Sequence, residues 1–119
     1  MNEQEQAIKE RRCMKYGNHK TTVDGITFDS KAEAERYKEL KRLELIGAIK
    51  GLELQKTFRL CKGRWENGKP FSISYRADFV YNLDGDIIVE DVKGFRTEGY
   101  MLKKKLMRAV YGIEITEVK

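Results

Sequence analysis

A chain of 119 residues is long enough for one domain with a real core and too short for a catalytic domain plus a separate recognition domain. Its 24 Lys and Arg against 19 Asp and Glu give a net charge of +5, with an isoelectric point near 9.2, a balance that favours a polyanionic partner. No apolar run approaches the roughly 20 residues of a membrane span, and no signal-peptide pattern follows Met1, so the cytoplasm is the expected compartment.

Residues 1–20 carry Lys9, Arg11, Arg12, Lys15 and Lys20 with only a trace of helical pattern. Two readings are open: a basic arm that orders on nucleic acid, or a frayed terminus. Cys13 and Cys61 lack CxxC spacing and His19 is the sole histidine, so neither zinc nor a disulfide framework is expected. Asp24-Gly25 between Thr21-Thr22-Val23 and Ile26-Thr27-Phe28 predicts a small hairpin. Ser30 opens the longest predicted helix, which ends near Ile46 before Gly47, and Ser30-x-x-Glu33 reads as a capping box. At 100° per residue Glu33 aligns with Tyr37, Leu40 and Leu43, while Glu35, Lys38 and Arg42 lie opposite. An inward carboxylate is uncommon. Capping and ligand binding are both open for it, and the two are compatible.

Residues 52–60 alternate as a strand with Leu52, Leu54, Phe58 and Leu60 as the expected buried face. Gln55 would look outward with Glu53, Thr57 and Arg59, as a phosphate or water contact or as a plain surface residue. Residues 61–70 read as a loop or splayed hairpin tip. Trp65, between Arg64 and Lys69, either stacks on a base or wedges into a duplex, or else covers the core edge.

Two β-type runs, 73–81 and 87–93, flank Asp84-Gly85, the strongest short-range hairpin signal. With those two as the loop, Leu83 pairs with Asp86, and counting back sets Asp78 opposite Asp91 and Arg76 opposite Lys93. Alternation then places Arg76, Asp78, Val80, Val89, Asp91 and Lys93 on one face. Like charges directly opposed are destabilising. A divalent cation between Asp78 and Asp91 would resolve this, because Mg²⁺ takes one or two carboxylates plus phosphate oxygens; solvated side chains on an open sheet face are the other reading. After a link at 94–99, residues 100–111 predict a helix with Leu102, Leu106, Ala109 and Val110 as its buried stripe, and Lys103, Lys104, Lys105 and Arg108 fanned around the rest. Residues 113–118 close the chain as a strand, which a right-handed crossover would set parallel to the strand at 87–93.

This order, with Glu33 on a helix, Asp78 on a strand and Asp91-Val92-Lys93 on the next, resembles the PD-(D/E)XK nuclease superfamily. Lys15-Tyr16-Gly17-Asn18, Phe28-Asp29-Ser30-Lys31-x-Glu33-Ala34, Tyr75-x-Ala77-Asp78-Phe79 and Val89-Glu90-Asp91-Val92-Lys93-Gly94 are similar to a small phage-type endonuclease family within it, akin to Holliday junction resolvases. Ala77 stands where the superfamily's name has proline. The resemblance implies an α/β, restriction-endonuclease-like core of order α-β-β-β-α-β, a mixed four-stranded sheet flanked by helices, in one domain over 21–119. It implies hydrolysis of DNA phosphodiester bonds in the host cytoplasm, selective for branched DNA, in recombination, replication or packaging. Glu33, Asp78 and Asp91, with the Val92 carbonyl, would hold one or two Mg²⁺, for which Mn²⁺ would substitute. Lys93 would orient or activate the attacking water, with Glu90 facing away. Lys103, Lys104, Lys105 and Arg108, with Gln55 and Arg76, would contact the nucleic acid, and a homodimer would cut two strands. A nickase, a flap nuclease and a non-catalytic DNA-binding module of the same fold are the competing expectations.

Overall fold

The computed structural model describes residues 20–92 and 96–118. The proposed arm therefore lies outside the described residues apart from Lys20, and so do Cys13, His19 and Lys93. The elements are β1 (Thr21–Val23), β2 (Ile26–Phe28), α1 (Lys31–Leu45), β3 (Lys50–Arg64), β4 (Pro70–Leu83), β5 (Asp86–Val92), α2 (Glu98–Tyr111) and β6 (Thr116–Val118). This is an α/β architecture with the predicted α-β-β-β-α-β layout behind a small hairpin. The main sheet has the order β3-β4-β5-β6; β3, β4 and β5 are antiparallel, and β6 runs parallel to β5. The chain forms two compact units, Met1–Glu39 and Leu40–Lys119.

In the first unit, β1 pairs with β2 around Asp24 and Gly25, both at positive φ (52° and 76°). That is the conformation of a type I′ turn, whose twist matches the flanking strands. The Tyr37 ring lies 5.0 Å from that of Phe28, and its hydroxyl donates to Asp24 at 3.2 Å. Ser30 Oγ accepts from the Glu33 backbone N–H at 3.1 Å, which is the expected N-cap. Glu33 is 9% exposed and Tyr37 and Leu40 are buried, whereas Glu35, Lys38 and Arg42 are exposed. The inward face was read correctly.

In the second unit, the turn at Asp84-Gly85 (φ 51° and 88°) sets the predicted register, with Leu83 opposite Asp86 and Phe79 opposite Glu90. The β3–β4 ladder departs from expectation. Its register shifts between Lys50 and Glu53 and between Arg59 and Cys61. The pair of Gln55 with Asp78 is lost without a shift between Leu54↔Phe79 and Lys56↔Ala77, where Gln55 sits in the left-handed region at φ 55°. Val80 shares the core cluster with Tyr75 and Ala77, although strict alternation would put Val80 on the other face. The faces therefore switch at Asp78 and Gln55. Glu53 and Lys56, three positions apart, form an ion pair at 2.9 Å that a regular strand would hold on opposite sides. Leu52, Leu54, Phe58 and Leu60 are thus not one buried face: Phe58 and Leu60 join the core beside Tyr75, and Leu54 pairs with Phe79 on the other side. The strands also extend further than read. The loop expected over 61–70 shrinks to residues 65–69, and Trp65 is 62% exposed rather than covering the core edge.

The α2 stripe needs a second correction. Leu102 and Val110 are 53% and 49% exposed and Ala109 is exposed; Tyr100 and Met107 are the buried residues. Leu106 alone of the expected stripe packs against the core, and the helix is rotated by roughly 125° from the centre of the expected face. The sheet end beneath it carries carboxylates, which Tyr100 and Lys104 can satisfy and leucine cannot. Apolar periodicity ranks leucine first and so misplaced the contact.

Candidate active site

Asp78 stands where pairing is interrupted on both sides of β4. On one side Gln55 breaks the β3 ladder; on the other, paired residues of β5 end at Glu90. There the Asp78 side chain replaces the backbone as acceptor, Oδ2 taking the Val92 N–H at 2.8 Å. One hydrogen bond thus anchors the Asp78 carboxylate to the residue that follows Asp91. Asp91 is 3% exposed and shares the face of Val89. Its Oδ2 accepts from the Tyr75 hydroxyl at 2.6 Å.

Burial first, then the bond to Asp91 and the negative charges of Asp91 and Asp78, push the Tyr75 phenol far above its ordinary value of 10.0. Tyr75 is therefore a fixed proton donor that holds Asp91 in one orientation. Glu117 pairs with Asp91 across the parallel ladder and gathers a second group of donors. Its Oε1 accepts from Lys104 Nζ at 2.7 Å and the Tyr100 hydroxyl at 3.1 Å; its Oε2 accepts from Arg96 Nε at 2.9 Å and Nη2 at 2.6 Å. Lys104 and the other donors lower the Glu117 carboxyl to about 2. Burial, the bond to Glu117 and the charge of Asp91 raise the Tyr100 phenol.

The opposite face carries a buried acid that the sequence placed only as pointing away. Glu90 is 1% exposed and accepts from the Tyr81 hydroxyl. Asp91 and Glu90 are thus neighbours in sequence with separate surroundings, as alternation on β5 requires.

The remaining expected residues fall in different places. Glu33 lies in the first compact unit, Asp78, Asp91 and Val92 in the second; Lys93 is outside the described residues. Arg76 is exposed and, as the neighbour of buried Tyr75 and Ala77, points away from the face of Val80 where it was expected. Gln55 is exposed. Lys104 is held by Glu117 and Arg108 by Glu114 at 3.3 Å, while Lys103 and Lys105 make no ion pair among the described residues. Lys104, Lys105 and Arg108 border a shallow recess with Met101, Ala109 and Glu114. Tyr75, Tyr100, Arg96 and Glu117 were not singled out from the sequence. The parallel register of β6, which sets Glu117 beside Asp91, would have pointed to Glu117. Among the described residues no three or more His, Cys, Asp or Glu side chains converge as a ready metal cage, and no helix is long and apolar enough to cross a membrane.

One family model, described as a protein of unknown function (DUF1064), matches residues 13–118. No curated protein and no solved structure matches the chain.

Proposed function

The chain belongs to the DUF1064 family, and we propose that it is a Mg²⁺-dependent endonuclease that hydrolyses phosphodiester bonds of branched DNA, in the manner of the PD-(D/E)XK nucleases its sequence resembles. The observation that carries this reading is the hydrogen bond from the Val92 N–H to Asp78 Oδ2 at 2.8 Å, which ties one acidic side chain to the strand segment bearing the other.

The donor set fits the ion. Mg²⁺ keeps several waters and takes only one or two carboxylates besides substrate oxygens. Asp78 and Asp91 supply two hard carboxylates and the Val92 carbonyl a third oxygen, all within the second unit. Mn²⁺ suits the same oxygens. When bound, such an ion would supply Lewis acidity and lower the pKa of water. Tyr75 fixes the orientation of Asp91. Lys93 would orient the attacking water and stabilise the charge that develops on the phosphate oxygens. Arg96, Lys103, Lys104, Lys105 and Arg108 lend positive potential to the α2 side, where flanking phosphates would lie.

Incubation with a four-way junction, a flap, a nicked duplex and a linear duplex, in Mg²⁺ and in EDTA, is the test. Cleavage of branched DNA with Mg²⁺ and none with EDTA is expected; preference for the flap or nicked duplex would favour the narrower nuclease readings. A second reading, a DNA-binding module without catalysis, draws support from the Tyr75 bond to Asp91, which also suits a purely structural carboxylate. Binding of every branched DNA with no cleavage in either Mg²⁺ or Mn²⁺ would select it.

A further inference from the structure

The β3–β4 hairpin runs beyond the body of the sheet. The core cluster reaches Leu60 and Ile73, and β5 pairs with β4 only from Phe79 onward. Past Leu60, Lys62↔Ser72, Gly63↔Phe71 and Arg64↔Pro70 pair only with each other, a two-stranded ribbon extending about 14 Å. At its tip the Trp65 and Phe71 rings lie 5.1 Å apart, 62% and 37% exposed. Scattered exposed apolar residues need no explanation, but a paired aromatic tip does.

The tip is held rigidly. Trp65 N–H donates to Lys69 O and Gly68 N–H to Trp65 O, both at 2.8 Å. The Arg64 guanidinium donates to Gly68 O at 2.9 Å and the Lys69 N–H to Asn67 Oδ1 at 3.0 Å. The far end of the Phe71 ring covers Gly63, where an added Cβ would come within 2.7 Å of it. Along the ribbon stand Arg59, Lys62, Arg64 and Lys69 against the single acid Glu66. Lys62 and Lys69 form no ion pair among the described residues.

We infer that this ribbon is an arm for branched DNA, with the Trp65 indole stacking on a base face exposed at the branch point and the lysines on the flanking phosphates. It rests on the DNA-binding half of the proposed function and not on its cleavage chemistry. A two-stranded ribbon fits the major groove of B-form DNA, whereas the A-form groove of RNA is too narrow. In a continuous duplex each base face is covered and must be unstacked first; a branch point offers one already uncovered.

Trp65 is the only tryptophan, so tryptophan emission of the full chain in EDTA, excited where tyrosine does not absorb, reports the tip alone. Titration with a four-way DNA junction should quench it, with a linear duplex of equal length binding about tenfold more weakly. Trp65→Ala should weaken junction binding about tenfold and linear binding less than about twofold, while Trp65→Phe keeps most of the affinity because a phenyl ring still stacks. Lys62→Gln with Lys69→Gln should lower the slope of log affinity against log salt by about two for both DNAs. Unchanged emission on a bound junction, unchanged affinity of Trp65→Ala, or an equal response to an RNA duplex would each overturn the arm, as would emission that follows protein concentration alone. Quenching by junctions in a chain that never cuts DNA keeps the arm and rejects the nuclease; cutting with Trp65→Ala at full affinity does the reverse.

Discussion

β4 behaves as two strands joined at Asp78. From Phe79 to Leu83 it is flanked on both sides, pairs with β5 residue for residue, and buries Tyr81 against Glu90. From Phe71 to Ala77 it has only β3 as neighbour, and its inward residues have changed sides to meet α2. The regular half supplies stability and the register up to Glu90; the irregular junction supplies the carboxylate that accepts a backbone N–H from the next strand. Strained backbone accumulates where function needs an awkward geometry, and Gln55 at φ 55° is the strained residue here.

The sharpest way to break that division is a pair of substitutions with opposite readouts. Asp78→Asn should lower Mg²⁺-dependent cleavage at least about a hundredfold, with DNA binding within a few-fold and stability nearly unchanged, because the amide oxygen still accepts from Val92. Unaltered cleavage would reject the assigned site. Tyr81→Phe, in the regular half, should leave cleavage alone and cost about 1–3 kcal/mol in denaturant unfolding, since buried Glu90 loses the hydroxyl that it accepts from.

Smaller effects sharpen the comparison. Glu117 is held at about 2 against an ordinary 4.5, so its contribution to stability is fully present above pH 4.5 and is lost as pH falls toward 2. Thermal unfolding of the wild type and of Glu117→Gln should therefore converge over that window; a constant gap down to pH 2 would contradict the clasp by Lys104, Tyr100 and Arg96. Smallest is a sign reversal on β3. Gln55→Gly relieves a left-handed conformation and should range from neutral to about 1 kcal/mol stabilising, whereas Thr57→Gly in the regular stretch should cost about 0.5–1 kcal/mol. Equal costs at both positions would remove the strain from the account.

What could be read from residues alone follows the same division. The Asp-Gly turns at 24–25 and 84–85 fix both short hairpins locally, so the β4–β5 register from Asp86 to Glu90 was legible, and helical periodicity gave the inward face of Glu33. The parallel return of β6 was legible from chain length and handedness. Gln55 was not, because glutamine carries no turn signal and its conformation is imposed by the strands around it. Nor was the seat of α2, where Tyr100 and Lys104 settle on a carboxylate supplied by a strand that follows them in the chain.

The bend at Gln55 has one more effect. β3 is an outermost strand of the sheet and is 15 residues long, a row of open backbone groups of the kind that seeds aggregates. With its direction turned part-way and Lys50, Lys56, Arg59, Lys62 and Arg64 spaced along it, an incoming strand finds no straight template to extend. A second copy is thereby denied a straight edge to extend, and the break at Gln55 guards against fibrils.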